Sequence, residues 1–173
     1  MKITNREIVY KGFFNLEKIT LEDEGETLAR EIYRNGDAVA ALVFDTDKQQ
    51  YLLAEQYRIA SDKKIVEVVA GLLDKENEDP EKAICREIEE EIGYKVDMLE
   101  PVSSFFTSPG ACAEKLHLFY AEVSKKTGEG GGLASEHENI KTVAFTREEL
   151  FSTNFEDAKT LIAVLWLRSR ANS

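Results

Sequence analysis

Thirteen residues, PEKAICREIEEEI, leave the chain little choice of local structure. Asp79 stands where an N-cap belongs, and Pro80 follows at the first helical position, where its missing N–H costs nothing. Gly93 ends the stretch as a C-terminal breaker. Ile84, Ile88 and Ile92 recur every fourth residue and predict one inward apolar stripe. Glu87, Glu90 and Glu91 are three and four apart, so they leave the helix on one side, away from that stripe. Like charges at this spacing destabilise a bare helix, so their company needs a reason.

The acidity is concentrated around this helix. From Asp74 to Glu91 nine acids face three bases, a local net of −6 within a chain whose net charge is −11. Such a chain is a poor candidate for gripping nucleic acid, which needs a basic surface. Its 173 residues make about one domain, and 43% hydrophobic residues are enough to build a core. The longest apolar runs, Ala38–Phe44 and Leu161–Leu167, are seven residues each, far short of a membrane span. The N-terminus lacks the apolar region of a signal peptide. Cys85 and Cys112 make neither a disulfide framework nor a CxxC zinc pair. Together these features read as a cytoplasmic protein with no nucleic-acid or membrane partner.

Residues 6–33 read as short strands, with a turn at Asp23-Glu24-Gly25. Asn35-Gly36-Asp37 is the clearest break, which divides the chain into an N-terminal β sub-domain, 1–36, and a main domain, 37–173. A piece that small buries little core alone and should pack on the rest or on a partner subunit. Ala38–Asp45 and Gln50–Tyr57 predict a hairpin, and Ile65–Ala70 a further strand leading into Gly71. Strands are expected at Lys115–Val123 and Ile140–Phe145, with a glycine-rich loop, Lys125–Gly132, between them. Thr146-x-x-Glu149 is a capping box for a short helix, and Glu156–Arg170 reads as an amphipathic helix.

A divalent cation among the Glu87, Glu90 and Glu91 oxygens would relieve their repulsion. Hard ions such as Mg²⁺ take carboxylate oxygens, keep several waters, and bind substrate phosphates through the remaining positions. The competing reading is a solvated acidic face with Arg86 as local counter-charge.

The full string GLLDKENEDPEKAICREIEEEIGY resembles the Nudix box, G-x5-E-x7-R-E-U-x-E-E-x-G-U, with Glu78, Arg86, Glu87, Ile88, Glu90, Glu91, Gly93 and Tyr94 in register. One departure is that six residues rather than five separate Gly71 from Glu78, an insertion in the loop before the helix. YKGFFNLEKITL, REIY, EQYRIA, EVVAGLL, SPGACAE and GLASEHENI extend the resemblance over most of the chain, to the ADP-ribose pyrophosphatase and GDP-mannose hydrolase branch. Pro109, sixteen residues past Gly93, resembles a marker of the ADP-ribose enzymes.

The resemblance implies an α+β fold, an α/β/α sandwich whose mixed central sheet is flanked by helices, plus a small antiparallel N-terminal sheet. It implies Mg²⁺, with Mn²⁺ a substitute, held by Glu87, Glu91 and the Ala70 carbonyl, with Glu138 joining once substrate is bound. Glu136 or Glu138 would be the general base, with Glu136 favoured. Glu90 and Arg86 would orient the ligands. Arg58 and Glu114 would contact diphosphate and sugar, and Phe13, Phe14, Arg30 and Glu31 the nucleoside. Gly71, Leu72, Ser108, Pro109 and Gly110 would line the substrate site. The N-terminal sheet would pack across a homodimer.

The implied reaction is hydrolysis of a nucleoside diphosphate sugar, ADP-ribose giving AMP and ribose 5-phosphate. GDP-mannose, giving GMP and mannose 1-phosphate, is the alternative substrate, and a non-catalytic nucleotide-sugar sensor the alternative class. Gly128, Gly130, Gly131 and Gly132 would make the loop mobile, or be a plain surface linker. His137, between the two candidate glutamates, should point away from them by alternation. His117 and Trp166 read as packing residues, Cys112 as a possible pocket residue without a nucleophilic role, and one of Phe13 and Phe14 as core. Lys159 reads as a solvated lysine, with a phosphate or a dimer partner as the alternative contact.

Overall fold

The computed structural model describes residues 1–73, 78–133 and 138–171. They form two compact units, Met1–Asp37 with Phe105–Leu116, and Ala38–Ser104 with His117–Ser173.

The first unit holds an antiparallel sheet of β1 (Lys2–Lys11), β2 (Asn15–Asp23) and β3 (Glu26–Arg34) in that order. The β2–β3 turn needs two residues at positive φ, and Glu24 (49°) and Gly25 (87°) supply them. Buried apolar residues of the sheet are Ile19 and Leu21 on β2, while β1 is exposed along its whole length. Tyr33 exchanges backbone hydrogen bonds with Ala111 and Ala113, which fastens the 105–116 segment along β3.

The second unit is built on a mixed seven-stranded sheet. β4 (Ala38–Asp45) and β5 (Gln50–Arg58) form the expected hairpin, with Asp45 opposite Gln50. The run after it serves two partners: β6 (Lys63–Glu67) pairs with β5, and β7 (Val69–Leu72) pairs with β4. β8 (Tyr94–Phe106), β9 (Lys115–Lys126) and β10 (Lys141–Phe145) complete the order β10-β5-β4-β9-β8. β8 was not expected from hydrophobic patterning. It is an edge strand, largely half-buried or exposed, and it carries Pro101, which an edge tolerates because no ladder donor is needed there.

The helix predicted from the sequence is α1 (Pro80–Ile92), with Asp79 accepting from the Glu81 N–H and Gly93 closing it at φ 77°. Ile84, Ile88 and Ile92 are fully buried against Val39, Ala41 and Val43 of β4 and Phe119, Ala121 and Val123 of β9. Each such isoleucine contributes about 2 kcal/mol of apolar burial. The intervening residues Ala38, Ala40 and Leu42 are buried too, so β4 is covered on both faces, and α3 (Ala158–Ala171) also packs on it. α2 (Arg147–Ser152) starts at the Thr146/Glu149 capping box. Among the described residues no helix is long and apolar enough to cross a membrane.

Candidate active site

β7 delivers the chain to the start of α1, and the glutamates of α1 gather beside it. The ridge is not a solvated face. Glu91 is only 4% exposed, and its Oε2 has no hydrogen-bond partner among the described residues. The Glu87 side chain is 13% exposed. The backbone at Gly71 lies against it so closely that a Cβ there would overlap the Glu87 carboxylate, and Ala70 immediately precedes. Any larger residue there would have to displace that carboxylate.

Arg86 orders the acids around it. Its Nη1 lies 2.8 Å from Glu87 Oε1 and donates to Glu90 Oε2 at 2.9 Å, and its Nε reaches Glu78 Oε1 at 3.4 Å. Glu78 therefore meets Arg86 despite the extra residue in the preceding loop.

Burial pushes the Glu87 carboxyl up to about 7, with the Glu90 and Glu138 charges adding to the rise and Arg86 opposing it. Burial also holds Glu91 well above the usual carboxylate range, reinforced by Glu87, Glu138 and Glu67 and opposed by Arg58. Two carboxyls that resist ionising, one with an unpartnered buried oxygen, are the donor set a hard cation requires. Among the described residues no three acid, thiol or imidazole groups converge to encage an ion by themselves.

The glycine stretch is hydrogen-bonded to the end of α1. The N–H groups of Thr127 and Gly128 donate to the Gly93 carbonyl at 2.7 and 3.0 Å. Those of Gly131 and Gly132 donate to Glu91 and Glu90 carbonyls at 2.8 and 3.1 Å. The strap thus satisfies carbonyls that a helix end leaves orphaned. Gly132, at φ 83°, lies so close to Glu138 that a Cβ would come within 2.6 Å of its Cβ and Oε2. Glu138 Oε2 in turn accepts from the Leu133 N–H at 3.0 Å.

A cluster that sequence reading missed adjoins these acids. Glu67, at the end of β6, accepts from Arg58 Nε at 2.5 Å and from Lys159 Nζ. Lys159 is therefore not a solvated lysine: it is held between Glu67 and Asp157. The partners lie nine and ninety-two residues from Glu67, beyond the reach of any local pattern.

Of the other candidates, Leu72 ends β7 opposite Ala38. Phe13, Phe14, Arg30, Glu31, Ser108, Pro109, Gly110 and Glu114 all belong to the first unit. There Phe13 is exposed, whereas Phe14 stacks on Tyr33 at 4.7 Å. Ser108 accepts from the Ala111 and Cys112 N–H groups, which makes Ser108–Gly110 a tight turn. Glu114 accepts from Thr107 Oγ1 at 3.2 Å, and Arg30 and Glu31 face Ile19 and Lys18 across the sheet. His117 is hydrogen-bonded to Ser104, and Trp166 packs on Tyr120. Glu136 and His137 lie outside the described residues.

The NUDIX domain model matches residues 34–165. The chain belongs to the Nudix family, and it is an enzyme of the Nudix pyrophosphatase kind. It is 32% identical to the GDP-mannose pyrophosphatase of Cronobacter sakazakii, over 98% of this chain and 96% of that protein. It is 33% identical to the ADP-ribose pyrophosphatase of Escherichia coli, over 97% of this chain and 88% of that protein. It is 36% identical to the methanol dehydrogenase activator of Bacillus methanolicus, over 96% and 92%. Among solved structures, an ADP compounds hydrolase shares the fold with a TM-score of 0.81 at 21% identity, covering 99% of this chain and 94% of that one.

Proposed function

We propose that the protein hydrolyses the diphosphate bond of a nucleoside diphosphate sugar with Mg²⁺, ADP-ribose giving AMP and ribose 5-phosphate. The observation that carries this reading is the buried Glu91 carboxylate, whose Oε2 has no hydrogen-bond partner among the described residues, beside Glu87 on α1. Glu87, Glu91 and the Ala70 carbonyl would hold the ion, and Glu138 would join them with substrate present. When bound, the ion supplies positive charge against the diphosphate oxygens and acidifies water.

The chain's own groups do the rest. Arg86 and Glu90 keep the Glu87 carboxylate in place. Glu136, the proposed base, takes a proton from the water that attacks phosphorus. As the new P–O bond forms, the bond from that phosphorus to the bridging oxygen breaks and the second phosphate leaves. Arg58 steadies the charge on the phosphate oxygens. The strap from Thr127 to Gly132 anchors the base-bearing loop to the end of α1.

The first unit, residues 1–36 in its main part, would supply nucleoside contacts through Phe13, Phe14, Arg30 and Glu31 and pack against a second copy. The exposed Ile3, Ile8, Val9 and Tyr10 of β1 support the packing. Gly71, Leu72, Ser108, Pro109, Gly110 and Glu114 complete the proposed substrate contacts on the strength of the sequence resemblance. The alternative substrate is GDP-mannose, favoured by the relative that carries that name. The intact set of Arg86, Glu87, Glu90 and Glu91 argues against a non-catalytic sensor.

The test is a panel of ADP-ribose, GDP-mannose and a nucleoside triphosphate in Mg²⁺, with products identified by chromatography. The expected result is AMP plus ribose 5-phosphate from ADP-ribose, at a kcat/KM at least tenfold above either competitor. GMP as the dominant product would move the assignment to GDP-mannose, and tight binding with no turnover would make the protein a sensor.

A further inference from the structure

Glu67 presents a problem of charge that the reaction proposed above does not use. Its carboxylate is 3% exposed, and burying a carboxylate costs several kcal/mol unless it is paired. Here it is paired twice, one oxygen taking Arg58 Nε and the other Lys159 Nζ. With Asp157, which also pairs with Lys159, two acids face two bases, so the cluster is locally neutral beside the acids Glu87, Glu91 and Glu138.

Lys159 stands at an unfavourable place for a cation. It lies in the first turn of α3, where the helix dipole disfavours positive charge, yet its side chain is only 16% exposed. Its neighbours hold it there. Asp157 takes Lys159 Nζ on Oδ1 at 2.8 Å and the Thr160 N–H and hydroxyl on Oδ2 at 2.9 and 2.6 Å. Thr160 Oγ1 accepts from the Val68 N–H at 2.9 Å, next to Glu67 itself. The first turn of α3 is thereby fastened to the chain at β6, and Lys159 braces the Glu67 oxygen that Arg58 does not use.

Arg58 is the arm this brace steadies. Glu67 engages only its Nε, and Nη1 and Nη2 have no hydrogen-bond partner among the described residues. The Arg58 side chain is 43% exposed while that of Glu67 is 4% exposed, so a guanidinium that is not fully enclosed is gripped at its Nε by a buried carboxylate. Paired N–H groups on a fixed fork are suited to phosphate oxygens.

We propose that Glu67 and Lys159 are positioning residues that hold the Arg58 guanidinium by its Nε and aim its two outer nitrogens at an anionic phosphate group of the substrate. The inference rests on the proposed hydrolysis of a nucleoside diphosphate sugar. The rival account makes the cluster a purely structural staple between α3 and the sheet.

The test uses the full chain with ADP-ribose in Mg²⁺, and with AMP as a competitive inhibitor. Glu67→Gln keeps the shape but removes one negative charge. Simple electrostatics would then tighten the binding of an anion, whereas lost positioning weakens it. The expected result is a rise of about tenfold in both KM and the inhibition constant of AMP, the size of one charge-assisted hydrogen bond, with a smaller change in kcat. Arg58→Met should show at least the same rise, and adding Glu67→Gln to it should change nothing further, because Glu67 acts through Arg58. Should Glu67→Gln fail to fold, Lys159→Met carries the same comparison, with about a threefold effect alone and none in the Arg58→Met background. Unchanged or tighter AMP binding, or full additivity with Arg58→Met, would overturn the positioning role while leaving the hydrolysis intact. No turnover of any nucleoside diphosphate sugar by the unaltered protein would remove the functional reading and this inference with it.

Discussion

Glu91→Gln is expected to lower turnover about a thousandfold or more and, at pH 8 without divalent ions, to make the protein harder to unfold. The first effect follows from the proposed loss of an ion ligand, since an ion at a developing phosphate charge is worth several kcal/mol and each 1.4 kcal/mol is tenfold in rate. The second follows from burial. Glu91 is almost completely enclosed, its Oε2 has no hydrogen-bond partner among the described residues, and Glu87 and Glu138 press on it electrostatically. Above the usual carboxylate range the unfolded chain ionises this group freely, while the folded chain must either hold it protonated or bury a charge. Glutamine removes that cost, so stability should rise by about 1 kcal/mol or more, several degrees in Tm for a chain of this size. Glu87→Gln should act in the same direction on both quantities. Thermal melts in EDTA beside steady-state rates in Mg²⁺ make the comparison. A variant that lost activity and stability together would show that Glu91 is a structural group.

The pH dependence of stability should have an unusual sign. For Glu87 the folded value is about 7, against 4.5 for the free side chain. Between these values the folded chain binds more protons than the unfolded one, so stability falls as pH rises. The contribution is complete below about pH 4.5 and disappears as pH passes through about 7, reaching about 3 kcal/mol as an upper bound for Glu87 alone. Glu91 shifts the same way, held up by burial and by the charges of Glu87, Glu138 and Glu67, and adds to the loss. In EDTA the protein should therefore melt at a higher temperature at pH 5.5 than at pH 8. Millimolar Mg²⁺ should raise the pH 8 value most, because the ion requires the ionised carboxylates. A Tm that climbs steadily from pH 5.5 to 8 in EDTA, with no response to Mg²⁺, would contradict the account.

How far the sequence reached is best judged element by element. α1 was legible to the residue because a cap, a proline, a glycine and a period of four all acted locally. The β4–β5 hairpin and the α2 capping box were legible for the same reason. β8 was not, since an edge strand with a proline and mostly half-buried or exposed residues has little alternation to read. The burial of Glu91 was hidden as well: spacing places a carboxylate on a side of the helix, but how far that side is enclosed is decided by tertiary structure. The glycines were visible and their use was not. Four glycines suggest freedom, and positive φ at Gly130, Gly131 and Gly132 also serves a close approach of this stretch to α1 and Glu138. Lys159 went furthest astray because its partner Glu67 is ninety-two residues distant.

The most direct measurement is Mn²⁺ binding at pH 6, followed by electron paramagnetic resonance together with proton release, in the unaltered protein and in Glu87→Gln/Glu91→Gln. The account predicts a bound ion whose arrival expels protons from carboxyls held above their usual range, and a loss of affinity of about a hundredfold or more in the double variant. Equal Mn²⁺ affinity in both proteins, with no protons released, would mean that these buried glutamates hold no ion at all.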